Sequence, residues 1–321
     1  MAESIFNGKE WEQMSFEERL AIKVASESSF INFVRIWFEL TQNEPLMVNW
    51  HHIWFANEVD KIIRGVDGSS LAIAVPPGST KTEFFSIFIH PYTLALIKAG
   101  VLKKFRNLAL SSGKALVERN SKRVMDVISS PEYQELWPCV FSKSSVEEWS
   151  VVNDKFRTIG GMVSRPMMGG IIGSRGGYPG PGYSGSITID DGDKAEDMFS
   201  SLKRERSHRL LTNTVRSRRG DKSKAHPTPV VIIQQRLHKD DSIGFCMNGG
   251  MGIDFRSIVV PAMLNDDYVS SLPDDIRSIC IEHTKSSPRV EIAGAVYWSF
   301  WEEMEGIDQL IRLREIDEYT F

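Results

Sequence analysis

Cysteine is scarce. The chain has three among its 321 residues, Cys139, Cys246 and Cys280, widely separated and with no Cys-x-x-Cys pair. That argues against a zinc site, suits a reducing compartment and leaves them as core or bystander thiols. Positive charge is not in excess either. Thirty-eight Lys and Arg face 42 Asp and Glu, a net charge of -4, so any nucleic-acid contact has to come from a local patch. No run approaches the roughly 18 to 20 apolar residues that span a bilayer. Glu3 and Lys9 precede any apolar stretch, so neither a membrane contact nor a secretory signal is expected. Internal repeats and long low-complexity tracts are missing. What is present is enough apolar sequence, 41%, to bury a substantial core in one large domain with a smaller appendage.

Ser15 and Glu18 form a capping box, and Leu20, Val24, Phe30, Phe33, Val34, Trp37 and Phe38 follow at helical spacing. This predicts a helical lead-in over residues 15–40, broken by Pro45. A second amphipathic helix is predicted over 48–64, closed by Gly65. From Leu71 short apolar runs alternate with helices: strands at 71–75, 107–111, 185–189, 229–233 and 257–260, and helices from about Thr80 and over 114–128. The fold class expected is α/β, with a mainly parallel sheet covered on both faces. Residues 160–185 are dense in glycine, carry Pro166, Pro179 and Pro181, and read as a loop long enough to imply a task. The expected divisions are a helical segment over 1–45, a core over 46–260, and a small subdomain over 261–321 ending in a charged helix at 302–318.

Two segments carry chemistry. After the strand at 71–75 comes Pro76-Pro77-Gly78-Ser79-Thr80-Lys81-Thr82-Glu83, a tight turn whose Lys-Thr opens a helix. Backbone amides of such a turn can hold phosphates, Lys81 can neutralise the terminal ones, and the Thr82 hydroxyl can ligate Mg²⁺. The standard GxxxxGK[ST] pattern would place glycine at Val75 and Thr80, and taken alone the segment also fits an ordinary strand-turn-helix. The second is Ile187-Thr188-Ile189-Asp190-Asp191, an apolar strand ending in two carboxylates. Asp190 would hold Mg²⁺ through water and Asp191 would orient or deprotonate the attacking water. Its plainer reading is a strand running into an acidic turn.

A third segment, Val230-Val231-Ile232-Ile233-Gln234-Gln235-Arg236-Leu237-His238-Lys239-Asp240-Asp241, closely resembles the coupling motif of the large terminase subunits of tailed bacteriophages. There Thr-Arg-Trp-His followed by acidic residues is usual, and Gln235 and Leu237 stand here for the Thr and the Trp. Asn49-Trp50-His51-His52 looks like that family's adenine-side motif. Pro-Pro-Gly-Ser-x-Lys-[Ser/Thr] resembles its variant phosphate loop, and Ser111-Ser112-Gly113-Lys114 its segment after the second strand. Gly169-Gly170-Ile171-Ile172-Gly173-Ser174-Arg175-Gly176 is similar to its Gly-x-x-Gly-x-Arg stretch. The ordered set covers roughly residues 45 to 321 and is more specific than any one motif.

The resemblance implies a RecA-like ATPase core that binds ATP and Mg²⁺ and translocates double-stranded DNA into a procapsid. It also implies a homo-oligomeric ring working with a portal protein and a small terminase subunit in the cytoplasm of the infected bacterial host. Pro77, Gly78, Ser79, Thr80, Lys81 and Thr82 would line the phosphates. Asn49 would read the adenine edge, Trp50 or His51 would stack on the ring, and Gln235 would sense the terminal phosphate. With Gly78 at a position often occupied by Arg, the arginine acting on the transferring phosphate would be Arg175 from a neighbouring subunit, with Arg157 and Arg165 in reserve. Glu196 is the alternative to Asp191 as base. The family's nuclease domain has no counterpart here: Glu315, Asp317 and Glu318 fall on one helix and do not form a two-metal site, so no DNA cleavage is expected. Lys203, Arg204, Arg206, Arg209, Arg216, Arg218, Arg219, Lys222 and Lys224 face only Glu205 and Asp221. They form either a solvated face or a contact with DNA phosphates. A helicase-like ATPase and a degenerate nucleotide-binding scaffold are the alternative functions. One phosphate-loop segment, not two, disfavours the first.

Overall fold

Two serines start two helices where the periodicity predicted one. In the computed structural model, which describes residues 4–6, 8–65, 69–169, 171, 173–223, 225 and 227–316, α1 (Phe16–Ser28) begins on the Ser15–Glu18 capping box. The Ser29 hydroxyl caps α2 (Phe30–Gln42), which ends on a left-handed Asn43. The break divides the apolar stripe: Phe30, Phe33, Val34 and Trp37 are buried, whereas Leu20 and Val24 stay exposed on α1. Rings of Phe33, Trp37, Tyr133 and Trp137 then pack with centroids 5.0 to 6.2 Å apart, each such pair adding about 1 kcal/mol beyond its buried area. Next comes α3 (Trp50–Ile63), capped by Asn49.

The sheet follows. β1 (Ser70–Ala74) leads through the turn into π-helical turns at Glu83–Phe88 that continue as α4 (Ile89–Lys98). β2 (Asn107–Ser111), α5 (Lys114–Ser129) and α6 (Pro131–Leu136) precede a meander of β3 (Val140–Ser145), β4 (Glu148–Val152) and β5 (Thr158–Pro166). β6 (Ile187–Asp190) is followed by α7 (Ser201–Arg209), prolonged by π turns at Leu210–Val215, and then by β7 (Val230–Gln234), α8 (Ser242–Met247) and β8 (Phe255–Val259). The eight strands lie in the order β3-β4-β5-β2-β6-β7-β1-β8. All from β5 to β8 in that order are parallel, and β3 and β4 are antiparallel additions at one side. The protein is therefore α/β, with a large, mostly parallel sheet flanked by helices.

Side chains of alternate parity separate two cores, as the two-residue repeat of a strand requires. Leu71, Ile73, Val75, Val231 and Ile233 face the layer containing α2, α3, α4 and α5. Ala72, Ala74, Ile187, Ile189, Val230 and Ile232 face Leu211, Val215, Ile243 and Cys246.

The glycine-dense segment 160–185 is corrected in its first part, which is strand β5. Glycine is needed there because neighbours approach closely: a Cβ on Gly160 would lie 2.4 Å from the Phe105 ring and one on Gly161 2.8 Å from the Trp149 carbonyl. Beyond β5 the segment descends from one edge of the sheet, where Met167 N–H reaches Ser111 O, to the other, where Gly177 N–H reaches Arg106 O. Gly170 and Ile172 lie outside the described residues.

After β8, β9 (Met263–Leu264), α9 (Asp266–Ser271), α10 (Asp274–Thr284), β10 (Val290–Ile292) and β11 (Ala295–Ser299) form a small antiparallel sheet, β10-β11-β9, with its helices. Its apolar residues, including Leu264, Ile276, Cys280, Trp298 and Trp301, merge with the core on the α3 side of the main sheet. The terminal helix α11 (Ile307–Ile316) begins after Gly306 and not at residue 302. Asp317, Glu318 and Lys224 lie outside the described residues. Among those described, no helix is long and apolar enough to cross a membrane.

Adjacent strands β1 and β7 send their connections to opposite faces, β1 into the helices of the first core and β7 into α8 of the second. Connections that diverge in this way open a crevice at the carboxyl edge of a parallel sheet.

Candidate functional site

The turn after β1 sits in that crevice. Gly78 has φ +74°, and Thr80 has φ +54°, so a β-branched residue holds the left-handed conformation at the place where the standard pattern has glycine. Such a residue costs about 1–3 kcal/mol and persists only when its surroundings hold it. The Thr80 hydroxyl lies 2.6 Å from His52 Nε2 and 2.7 Å from the Ser79 carbonyl. Pro77 and Gly78 are exposed, while Ser79 is buried. Lys81 is only 9% exposed, with Nζ 3.4 Å from the Pro76 carbonyl. Burial pushes its pKa down, and the charges of Asp191 and Asp190 oppose that shift.

Asp190, 3% exposed at the end of β6, faces the turn. The Thr82 hydroxyl is 3.4 Å from its Oδ1, and Asn120 Nδ2 donates to Oδ2 at 3.2 Å. Burial first, and the neighbouring Asp191 second, push the Asp190 pKa up to about 6, against nearby hydroxyls and Lys81. Asp191, at φ +45°, is half-buried. Its pKa is raised by burial and held back by Lys81.

A carboxyl whose pKa rises on folding contributes stability that is complete below its unfolded value, here 3.8, and is lost as pH climbs through about 6. A rise of that size corresponds to about 3 kcal/mol. Asp190→Asn is therefore expected to melt several degrees above wild type at pH 7.5 without divalent ions, and the two melting temperatures are expected to converge near pH 4. Thermal melts across this range check it; a difference independent of pH would exclude the cause given.

Behind Asp190 lies a cavity of about 10 Å³ lined by Ser86, His90, Ser111, Asn120 and Ser121. The hydroxyls of Ser86, Ser111 and Ser121, Nε2 of His90 and Oδ1 of Asn120 have no hydrogen-bond partner among the described residues. Buried polar groups require partners, but most of the surface of this space is apolar, with Ala109, Leu110, Val117 and Met162 completing the lining.

The segment after β7 divides into parts. Gln235, half-buried one residue beyond the strand, makes no side-chain hydrogen bond among the described residues. Its neighbour Gln234 is 1% exposed and donates to Asp193 at 3.2 Å, while Ser242 holds the same carboxylate with its amide and hydroxyl. Asp241 caps α8 and receives Arg236 Nε at 3.0 Å. Arg236, Asp241 and Asp193 shape the loop beside the site.

The adenine-side residues are committed elsewhere. The Asn49 oxygen accepts from Trp50 N–H, and its Nδ2 points at the Phe300 carbonyl, which also receives Trp50 Nε1 at 3.0 Å. Trp50 and His51 are fully buried, and the His51 ring is enclosed by His52, Phe55, Phe300 and Trp301. Both rings are thus held within the core, enclosed by aromatic neighbours. His52, the member of the adenine-side motif to which no role of its own was assigned, is the residue that reaches the turn. Its signals were a place three residues past the helix cap and a threonine at the glycine position.

The arginines separate by edge. Arg175 is exposed and adjoins Gly176, whose Cβ would lie 2.4 Å from the Ser186 carbonyl. It therefore stands at the start of β6, about 10–13 Å along the strand from Asp190, and cannot serve the site of its own chain. Arg157, just before β5, is also at that far edge. Arg165, paired in register with Leu110, stands on the near edge with its guanidinium on the Glu147 and Ser164 carbonyls. Lys114 pairs with Glu147 and Glu118, and Glu196 is exposed on the turn Ala195–Asp197.

Among the described residues no three His, Cys, Asp or Glu side chains gather as metal ligands. The donor set at the turn is one hydroxyl and one carboxylate. Such hard oxygens fit Mg²⁺, which is commonly held by one or two carboxylates together with substrate phosphates. No family model matches the chain, and no curated protein matches it.

Proposed function

We propose that the chain is a RecA-like ATPase, the motor domain of a viral machine that packages double-stranded DNA. The observation that carries the reading is the meeting of Lys81, Thr82, Asp190 and Asp191 at one sheet edge, from segments far apart in the chain. β7 lies between β1 and β6, so the two strand axes are about 10 Å apart, and the side chains of Thr82 and Asp190 close that distance to 3.4 Å. The turn amides and Lys81 would bind the phosphates, and Thr82 and Asp190 would hold Mg²⁺. That ion neutralises charge on the transferring phosphoryl group. Asp191 would orient the water, and Gln235, unengaged beside the crevice, would contact the terminal phosphate. Arg175 could act only in a neighbouring subunit, as a ring allows, whereas Arg165 is placed on the site's own edge. Measured ATP hydrolysis by wild type, Lys81→Ala and Asp191→Asn tests the reading. No turnover in any of them at self-associating concentrations would favour a scaffold that binds nucleotide without hydrolysing it, the alternative that Thr80 and the buried Trp50 and His51 support.

The DNA contact would come from the exposed part of the basic stretch. Arg206, Arg216 and Lys222 are exposed, whereas Arg219 is 7% exposed with Nε on the Thr228 carbonyl at 2.7 Å and belongs to the fold. Lys203 and Arg209 are paired with Asp197 and Glu205. Neutralising Arg206, Arg216 and Lys222 together is expected to weaken binding to duplexes of any sequence. It should lower the slope of log affinity against log salt by about two to three. A salt titration by fluorescence anisotropy measures both, and an unchanged slope removes this stretch from the interface.

A further inference from the structure

We propose that His52 is a positioning residue for the phosphate turn, holding Thr80 in the left-handed conformation that the standard pattern reserves for glycine. The inference rests on the nucleotide reading above for its functional consequence, and on geometry alone for the restraint itself.

The hydrogen bonds run in one direction. His52 Nδ1 accepts the Asn49 backbone N–H at 2.9 Å, so the ring proton is on Nε2, which donates to Thr80 Oγ1 at 2.6 Å. The Thr80 hydroxyl in turn donates to the Ser79 carbonyl at 2.7 Å. The imidazole cannot swing away: it is fully buried, parallel to the Phe84 ring at 5.2 Å and edge-on to Trp301 at 5.0 Å. Three separate elements thus fix the donor that fixes the turn. With glycine at position 80 no such restraint would be required, because glycine enters this region without a steric penalty. A β-branched residue released from it relaxes toward negative φ and turns the amides of residues 80 and 81 away from the phosphates.

His52→Phe keeps the ring volume and removes both hydrogen bonds, and Thr80→Val keeps the branch and removes the hydroxyl. Each is expected to weaken Mg-ATP binding roughly tenfold, the scale of the one hydrogen bond, between residues 52 and 80, that both variants lose. Thr80→Gly supplies the reference, a turn that needs no restraint, and its own affinity is the baseline. The double variant His52→Phe with Thr80→Gly should match Thr80→Gly in affinity while keeping whatever loss of melting temperature His52→Phe causes. A residue that merely fills the core would leave the double variant as weak as His52→Phe, and that result overturns the proposal. If wild type takes up no ATP, the nucleotide reading fails, and the restraint is judged by amide exchange at residues 79–81 in the ligand-free chain. Faster exchange in His52→Phe and Thr80→Val supports it, and unchanged exchange overturns it.

Discussion

Lys81→Ala is expected to lower ATP turnover by about a hundredfold or more, the scale seen when one preorganised charge at a transferring group is removed. Lys81 is the cation of the turn, it is buried, and the charges that face it are Asp190 and Asp191. A buried ammonium between a phosphate turn and two carboxylates acts with little screening by water. On the proposed reading its removal would take away the counter-charge to the phosphates, and it leaves Asp190 and Asp191 without the cation that faces them. Lys81→Arg is not expected to restore activity, since a planar guanidinium cannot replace a point charge on a flexible stem where space is this restricted. Phosphate release under saturating Mg-ATP, with binding titrated separately, separates lost turnover from lost affinity. Retention of half the wild-type rate would remove Lys81 from the site.

Asp191→Asn is expected to reduce the maximal rate by about 10²–10³-fold while leaving ATP binding largely intact, as for loss of a general base that does not hold the ligand. The backbone makes this a clean substitution. Asp191 sits at φ +45°, its amide donates to the Ile233 carbonyl at 2.9 Å, and its carbonyl accepts from Ser112 at 3.1 Å. Asparagine tolerates that conformation as readily as aspartate, so charge is lost without disturbing either strand. Glu196→Gln, on its exposed turn, is expected to change little. Single-turnover measurements on both variants decide between them: a dead Glu196→Gln beside an active Asp191→Asn would move the base to Glu196.

Much of the sheet was legible because its signals are local. β2 occupies residues 107–111 as its apolar run predicts, and β1, β6, β7 and β8 lie within two residues of their predicted bounds. The meander β3–β5 was not legible. β3 is an exposed edge with no alternation to read, and Gly160 and Gly161 carry the composition of a loop into the middle of a strand. That composition is explained only by the Phe105 ring and the Trp149 carbonyl pressed against them. The break at Ser29 was hidden because apolar residues continue at helical spacing on both sides of it.

The amino-acid sequence by itself determined that Lys81 and Thr82 open a helix after a buried strand and that Asp190 and Asp191 end another, since strand period, turn chemistry and caps depend on neighbours along the chain. Tertiary structure alone decided that these ends lie on one edge with Thr82 3.4 Å from Asp190. It likewise decided that Arg175 faces away, that Arg219 is internal, and that Trp50 and His51 belong to the core while His52 reaches the turn. Strand order and burial come from contacts between segments remote in sequence, and no local pattern encodes which of several suitable side chains the packing will enclose and which it will leave at the crevice.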